Sequence, residues 1–326
     1  MVLKAICLVR HGSRERYGDA KVADRKKFDD PSGSRGLNSL DDQLTAIGRQ
    51  QAQELANYLS SAHPEISAVY TSRHYRCLET VKPYVEKCER EGNDVKFRLE
   101  MGLSEWGRAD RQQARMPSIK QFKEYHSTLD AKRQSLCSPL GHENLDEFYA
   151  RNACFLASLI QSLDNEPNGP ESVLLCTSAS NVTWIARILL GKFPENSVEQ
   201  DFSVPAIGFY RFARRNVLPV DIDLGRRTPL GYPEIDWKNG VSIGGSWEVT
   251  HSADCSFLST GSIMLWTPSD IPKYLPPCEA LQMPKPSLPN FFDIQDLNAG
   301  ESDLRMECAD FEREGVITAT AVEVPA

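Results

Sequence analysis

The first residues of the chain that could do chemistry are Arg10, His11 and Gly12, which follow an apolar, strand-like run. A guanidinium group can form two parallel hydrogen bonds with a phosphate and keeps its charge at any working pH. An imidazole can attack phosphorus when a partner holds its other ring nitrogen. This tripeptide therefore predicts phosphoryl chemistry, with Arg10 as a phosphate ligand and His11 as the nucleophile.

The elements around these residues alternate between strand and helix. Residues 1–9 form an apolar run with β-branched members, which predicts a buried strand. A helix is predicted from Leu44, where apolar residues recur at helical spacing. A second strand is predicted at 68–72, followed by a helix that begins near His74 with Ser72 as its N-cap. The remaining predicted elements are a strand at 95–99, a helix from Asn144, a strand at 172–178, a helix at 180–190, and strands at 206–213 and 241–250.

Strands and helices joined by short links are typical of an α/β fold. The pattern predicts a three-layer α/β/α architecture, in which a mostly parallel central sheet carries helices on both faces. Ligands of such sheets bind at the carboxyl ends of the strands. Three predicted strands end at His11, Ser72 and Ser178. We therefore expect these three positions to lie at one edge of the sheet.

Four segments together resemble one known family, the histidine phosphatases, a phosphoglycerate-mutase-like superfamily. They are LVRHGSR at 8–14, LTAIGRQQAQELANYL at 44–59, VYTSRHYRCLETV at 69–81 and GLSEWGR at 102–108. They occur in the order found in the family, and the resemblance covers roughly residues 1–266. Ser178 occupies the place of the family's second active-site histidine, in the frame LLCTSA.

The resemblance implies roles for two further residues. Arg76 matches the second phosphate-binding arginine, and Glu105 matches the acidic residue that protonates the leaving oxygen. Such an acid must be neutral when it acts, and a carboxyl beside a closed pocket can be tuned that way. Taken singly, either residue could equally be an ordinary surface group. Their occurrence together with Arg10 and His11 favours the functional interpretation, a phosphatase site that uses neither metal nor cofactor.

The serine at position 178 weakens the expected activity. The family's histidine binds phosphate and stabilises developing charge, whereas a serine cannot be a cation and offers one hydroxyl. Loss of one preorganised donor typically costs about 10²–10³ in turnover. The site is therefore predicted to bind phosphate through Arg10, Arg76 and Ser178, with either slow turnover or none. His142 and His251 are candidates to replace the missing imidazole.

Charge and composition limit the choice of partners. The net charge is −8, but residues 267–326 contain 4 Lys/Arg and 11 Asp/Glu, so that nearly all of the acidity lies there. The remainder has no basic field for direct nucleic-acid binding. No apolar run is long enough to predict a membrane span, and nothing at the start reads as a leader. These features favour cytoplasm, nucleus or both.

Two segments lie outside the strand–helix pattern. Residues 105–142 are predicted to be an insertion over the site, with Arg108, Arg111 and Arg115 near its start. Together with Arg73, they could favour an anionic substrate such as a phosphopeptide, although a solvated loop is the simpler interpretation. Residues 267–326 contain 8 of the 20 prolines, which predicts an extended or disordered acidic tail.

Three functional hypotheses remain open. The chain could be a weakened phosphomonoesterase that works through His11, or a pseudophosphatase that binds phosphate or phosphoproteins without turnover. Residues 239–266 also resemble a fungal branch of the family that includes the tau subunit of the RNA polymerase III factor TFIIIC. That resemblance implies a third hypothesis, a structural role with TFIIIC-like protein partners.

Overall fold

The computed structural model describes residues 2–14, 43–62, 66–106, 119–130, 137, 143–196, 199–217, 222–263 and 266–268. Contacts divide the chain into two units, Met1–Ser287 and Leu288–Ala326, and all described residues belong to the first. The segments 107–118, 131–136 and 138–142 of the predicted insertion lie outside the described residues, as does nearly all of the predicted tail. No described helix has the length and apolar character needed to cross a membrane.

The sheet has six strands in the order β3-β2-β4-β1-β5-β8. Its strands are β1 Ala5–Arg10, β2 Ala68–Thr71, β3 Lys96–Leu99, β4 Ser172–Thr177, β5 Phe209–Arg214 and β8 Trp247–Asp254. The four strands from β3 to β1 run parallel, whereas β5 and β8 pair antiparallel. The mostly parallel sheet predicted from sequence is confirmed, and the two antiparallel strands extend one side of it.

Five helices are described in this part of the chain. They are α1 Ala46–Ala62, α2 Tyr75–Arg90, α3 Ile119–Tyr125, α4 Leu145–Asn165 and α5 Ala179–Leu189. The helices α1 and α2 share a buried cluster with one face of the sheet, to which β1 contributes Cys7 and Val9. Ile6 and Leu8 are equally buried and alternate to the other face. The predicted three-layer α/β/α architecture is confirmed.

Three predictions of local structure were wrong. Ser72 does not cap α2, because the N-cap is His74. The strand predicted at 241–250 starts only at Trp247, since Ser242–Gly245 forms a 3₁₀ turn. A hairpin of β6 Ile222–Arg227 and β7 Pro233–Ile235 was missed. Strands this short and polar carry a weak alternation signal, which explains the omission.

Candidate active site

Three neighbouring strand ends bring the predicted residues together. Arg10 at the end of β1 lies opposite Thr177 on β4, and Thr71 on β2 lies opposite Cys176. The backbone N–H of His11 donates to Thr177 O at 3.0 Å, so the backbone segments that follow β1 and β4 continue side by side beyond the strands. The expected convergence at one sheet edge is therefore present, with Ser178 between the ends of β1 and β2.

The His11 ring is held in one tautomer. Its Nδ1 lies 2.8 Å from the carbonyl oxygen of Gly12. A carbonyl can only accept, so Nδ1 carries the hydrogen and Nε2 keeps its lone pair. Burial, followed by the charges of Arg76, Arg10 and Arg14, holds the pKa of His11 well below its usual range. The imidazole is therefore neutral at physiological pH, which is the form that can attack phosphorus.

The loop after β1 is packed directly against the backbone of α1. A Cβ atom on Gly48 would lie 2.1 Å from Ser13 O, so only glycine permits this approach. The N–H of Gly12 donates to Thr80 Oγ1 at 3.0 Å, and that hydroxyl donates to Arg76 O at 2.7 Å. Thr80 thereby links the nucleophile's loop to the helix that carries Arg76.

Two buried guanidinium groups lie beside the ring. Arg10 is 4% exposed and donates from Nη1 to Val204 O at 2.7 Å, while its Nε has no partner among the described residues. Arg76 is fully buried and donates from Nη2 to Glu105 Oε2 at 2.7 Å. Burial and then Arg14 lower the pKa of Arg10 to about 10, so it stays charged at neutral pH. Both groups therefore offer positive charge to an anion.

Arg14 and His74 were missed as site residues by the sequence analysis. The charge of Arg14 lowers the pKa of Arg10, of His11 and of Glu105. The sequence signal that could have identified it is its place as the last residue of the segment LVRHGSR. His74 is 3% exposed, caps α2 and lowers the pKa of Glu105 through its charge. By contrast, His251 lies on β8, two strands away from β1, and His142 lies outside the described residues.

Glu105 is ionised at neutral pH. Burial raises the pKa of its carboxyl, but Arg76, Arg14 and His74 lower it more, to about 2. Its side chain keeps 27% exposure while it pairs with Arg76. The carboxyl is thus held beside Arg76 and lacks the proton that the expected acid role requires. An anion that binds Arg76 would weaken this pair and raise the pKa of Glu105.

The loop that carries Glu105 is fixed by α4 and β4. Arg151 of α4 donates to Gly102 O at 2.7 Å and to Ser104 O at 3.0 Å, and Thr177 Oγ1 donates to Leu103 O at 2.6 Å. Three consecutive carbonyl groups before Glu105 are therefore held. Arg151 is fully buried and is itself paired with the Glu143 carboxylate, its Nη2 lying 2.9 Å from Glu143 Oε2.

Ser178 belongs to a polar chain, by which we mean a series of buried side chains joined by hydrogen bonds. Its hydroxyl lies 3.1 Å from Asn181 Oδ1 and 3.1 Å from Ser180 Oγ. Asn181 Nδ2 donates to Asn152 Oδ1 at 3.2 Å, and Asn152 Nδ2 donates to Phe148 O at 2.8 Å. Ser178 itself is 2% exposed. No sequence pattern predicts this group of hydrogen-bonded side chains, because its members come from two helices, α4 and α5.

Comparison with known proteins agrees with this geometry. The family model of the histidine phosphatase superfamily, branch 1, matches residues 6–213. A phosphoglycerate-mutase-like fold with a histidine between two arginines is the architecture that this class shares. The chain belongs to the histidine phosphatase superfamily.

Individual relatives share less than 30% of their residues with the matched part of this chain. The chain is 28% identical over 284 residues to the transcription factor tau 55 kDa subunit of Saccharomyces cerevisiae, which covers 82% of this chain and 59% of that subunit. It is 26% identical over 213 residues to human ubiquitin-associated and SH3 domain-containing protein A, covering 59% of this chain and 32% of that protein. The chain thus spans less than two thirds of these relatives.

One solved structure confirms the fold. The ecdysone phosphate phosphatase of Bombyx mori, in complex with tungstate, superposes with a TM-score of 0.50 at 20% identity. The superposition covers 68% of this chain and 95% of the insect enzyme. At this level of identity the match shows a shared architecture, and the chemistry of the present chain has to be argued from its own residues.

Proposed function

We propose that the chain is a phosphomonoesterase of low turnover that acts through a phosphohistidine on His11. The observation that carries the proposal is the state of this ring, which is neutral, fixed through Nδ1 and located between two buried arginines. Catalysis of phosphoryl transfer depends mainly on positioning and on charge stabilisation. Arg10 and Arg76 would hold the equatorial oxygens of the transferred group.

The reaction would proceed in two displacements. The lone pair of His11 Nε2 forms a bond to phosphorus while the bond to the ester oxygen breaks, and that oxygen takes a proton from Glu105. A water molecule then attacks the phosphohistidine and gives its proton to the Glu105 carboxylate. Phosphate leaves, and Nε2 recovers its lone pair. Glu105 must take up a proton before the first step, which binding of the phosphoryl anion at Arg76 favours.

A second candidate function is phosphate or phosphoprotein binding without turnover. The observation that favours it is Ser178, because the hydroxyl cannot supply the charge of the histidine that the family has there. The buried arginines that serve catalysis would equally hold a phosphorylated ligand. The two candidates share one pocket and differ only in whether His11 is phosphorylated.

Hydrolysis of an aryl phosphate separates the two candidates. The wild type is expected to turn over slowly, Ser178→His to be faster by roughly 10²-fold, and His11→Ala to be inactive. Trapping of radioactive phosphate on the wild-type protein, and its absence from His11→Ala, would identify the intermediate. Tungstate binding, measured by calorimetry on all three proteins, serves as the control for an intact pocket.

Each possible result of these experiments removes a different candidate function. Tungstate binding without turnover in any variant would leave the binding function and remove the enzyme. Turnover that persists in His11→Ala would remove the phosphohistidine route. No tungstate binding in the wild type would remove both functions, since both need the arginines.

We also propose association with a transcription assembly in the nucleus. The support is the similarity to the yeast transcription factor tau 55 kDa subunit, which extends over most of this chain. Partners would then be TFIIIC-like proteins, with no direct contact to nucleic acid or membrane. Affinity purification of the tagged chain from its own cells should recover the other TFIIIC subunits. Their absence from the eluate, with a tagged TFIIIC subunit as the positive control, would remove this proposal.

A further inference from the structure

In the polar chain that ends at Ser178, the donor and the acceptor of each hydrogen bond can be assigned. All of its members are buried: Asn152 and Asn181 are fully buried, Ser178 is 2% exposed and Ser180 is 7% exposed. At its far end the chain meets the main-chain carbonyl of Phe148. A carbonyl group has no hydrogen to give, so every bond between this end and Ser178 must be oriented accordingly.

The direction follows group by group. The Asn152 atom that faces Phe148 O must be its Nδ2, which leaves Oδ1 to face Asn181. The facing atom of Asn181 must then be its own Nδ2, so Asn181 presents Oδ1 to Ser178. An amide oxygen only accepts, and the hydroxyl of Ser178 therefore donates to it. The orientation of both amides is thus set by chemistry alone.

This leaves Ser178 with acceptor capacity only. A serine hydroxyl has one hydrogen and two lone pairs, and its hydrogen is used by Asn181. Ser180, at 3.1 Å, donates to one lone pair. Ser178 is the N-cap of α5, yet its side chain accepts no N–H from the first turn of the helix. One lone pair therefore has no donor among the described residues, and Ser178 directly follows Thr177, whose carbonyl oxygen accepts from the N–H of His11.

We propose that Ser178 makes the site selective for a phosphoryl group that carries a proton, with the P–OH donating to Ser178 Oγ. The inference rests on the proposed function only in placing the anion between Arg10 and Arg76. To donate to a bare oxyanion, the hydroxyl would have to leave Asn181 Oδ1, a buried acceptor to which no other described residue donates. Such an unsatisfied acceptor costs roughly tenfold or more in binding.

Position 178, where the family has a histidine that can donate a hydrogen bond, therefore carries a hydrogen-bond acceptor in this chain. A phosphate monoester loses its last proton with a pKa of about 6, so its monoanion can donate to Ser178 and its dianion cannot. Inorganic phosphate keeps a P–OH over the whole neutral range, whereas sulfate has none. The two ions have nearly the same shape, and at pH 8 both are mainly dianions, so that they differ chiefly by this proton.

Calorimetric titration of the full chain with phosphate and with sulfate at pH 8 tests the proposal. The wild type is expected to bind phosphate about tenfold or more tightly than sulfate. Ser178→Ala should weaken phosphate and leave sulfate unchanged, so that the preference disappears. Asn181→Ala should release the hydroxyl as a donor and tighten sulfate, and Ser178→Ala in that background should abolish the gain. Arg76→Ala is the control and should weaken both ions alike.

The results distinguish the failure of this inference from the failure of the proposed function. Equal binding of the two ions by the wild type, with no effect of Ser178→Ala, would overturn the acceptor role while leaving the anion site intact. Absence of binding by either ion would overturn the anion site itself. If Asn181→Ala does not fold, the response of phosphate and sulfate affinity to Ser178→Ala still decides the question.

Discussion

At the scale of single residues, the site holds two ionisable groups in opposite states. His11 is neutral because burial and three arginines oppose a further positive charge, while Glu105 is ionised because the same arginines favour a negative one. In the proposed reaction the nucleophile is therefore already in its reactive form, whereas the acid must first take up a proton. Binding of a phosphate would protonate Glu105 by occupying Arg76, so ligand and proton should be taken up together.

The lowered pKa of His11 predicts how stability depends on pH. Protons bind His11 more readily in the unfolded chain, where the pKa is about 6.5, than in the fold. Stability contributed by the neutral ring is therefore present above pH 6.5 and declines as pH falls below it, by up to about 1.4 kcal/mol per pH unit. Urea unfolding at pH 7 and pH 5 should show a smaller difference for His11→Ala than for the wild type.

Ser178→Ala is the control for this measurement, because it alters the same sheet edge without removing a titrating group. It should retain the wild-type difference between the two pH values. A difference that is equally large in His11→Ala would mean that other groups cause the acid sensitivity.

At the scale of elements, α4 acts on the reaction through the loop that carries Glu105. Arg151 holds two carbonyls of this loop, and Thr177 holds the one between them. The backbone of Glu105 is thereby fixed from two sides. We infer that Arg151 is a positioning residue for the acid, since it contacts the loop and not the phosphate-binding arginines.

Substitution of Arg151 should therefore affect leaving-group protonation. Arg151→Met leaves the buried Glu143 without its partner and should cost about 3–5 kcal/mol of stability. Misplacement of the acid by about 1 Å should lower kcat for an alkyl phosphate by roughly 10²-fold. The loss should be much smaller for nitrophenyl phosphate, whose leaving group needs little protonation. Steady-state kinetics with both substrates, at a temperature where the variant is folded, provides the readout.

Arg187→Met offers a matched control. Arg187 is fully buried, lies near the end of α5, pairs with Asp201 at 2.7 Å and donates to Tyr149 and to Glu199 O, none of which belongs to the loop of Glu105. Its substitution should lower stability without changing the ratio of the two kcat values. An equal change of that ratio in both variants would show that Arg151 acts only through stability.

Much of this organisation could be predicted from sequence. The strands that end at the site are continuous apolar runs, and each is followed by a residue with recognisable chemistry, as at Arg10–His11. Arg151, Asn152 and Asn181 could not be found this way. They lie within amphipathic helices, where a polar residue is expected to face solvent, and only the packing of α4 against α5 shows that they are buried. The ionised state of Glu105 likewise depends on distances that spacing does not encode.

At the scale of the whole molecule, the residues of the candidate site occupy a limited part of the chain. Every described site residue lies before residue 190, and the net charge of −7 in residues 267–326 falls within Leu288–Ala326. We propose, as the sequence suggested, that the phosphatase-like domain comprises residues 1–266 and that the acidic tail is separate. The family match to residues 6–213 is compatible with this division.

A truncated chain tests the boundary. A variant that ends at Ser287 removes the second unit and should keep the Tm and the tungstate affinity of the full chain, the latter within about twofold. The physical reason is that the arginines expected to face the anion belong to the first unit and are buried, and that salt screens exposed charges over about 8 Å. Loss of folding on truncation would place the domain boundary further along the chain.

The β6–β7 hairpin has a consequence for how such a protein can diverge. Tyr232 beside β7 donates to Glu143 at 3.0 Å, and Glu143 anchors Arg151. The hairpin thus contacts the residues that fix the loop of Glu105, whereas Arg76 and the loop of His11 are held by α2 and α1. On the proposed function, substitutions in the hairpin can therefore lower or abolish turnover while anion binding is retained. A few such substitutions would change an enzyme into a binding protein.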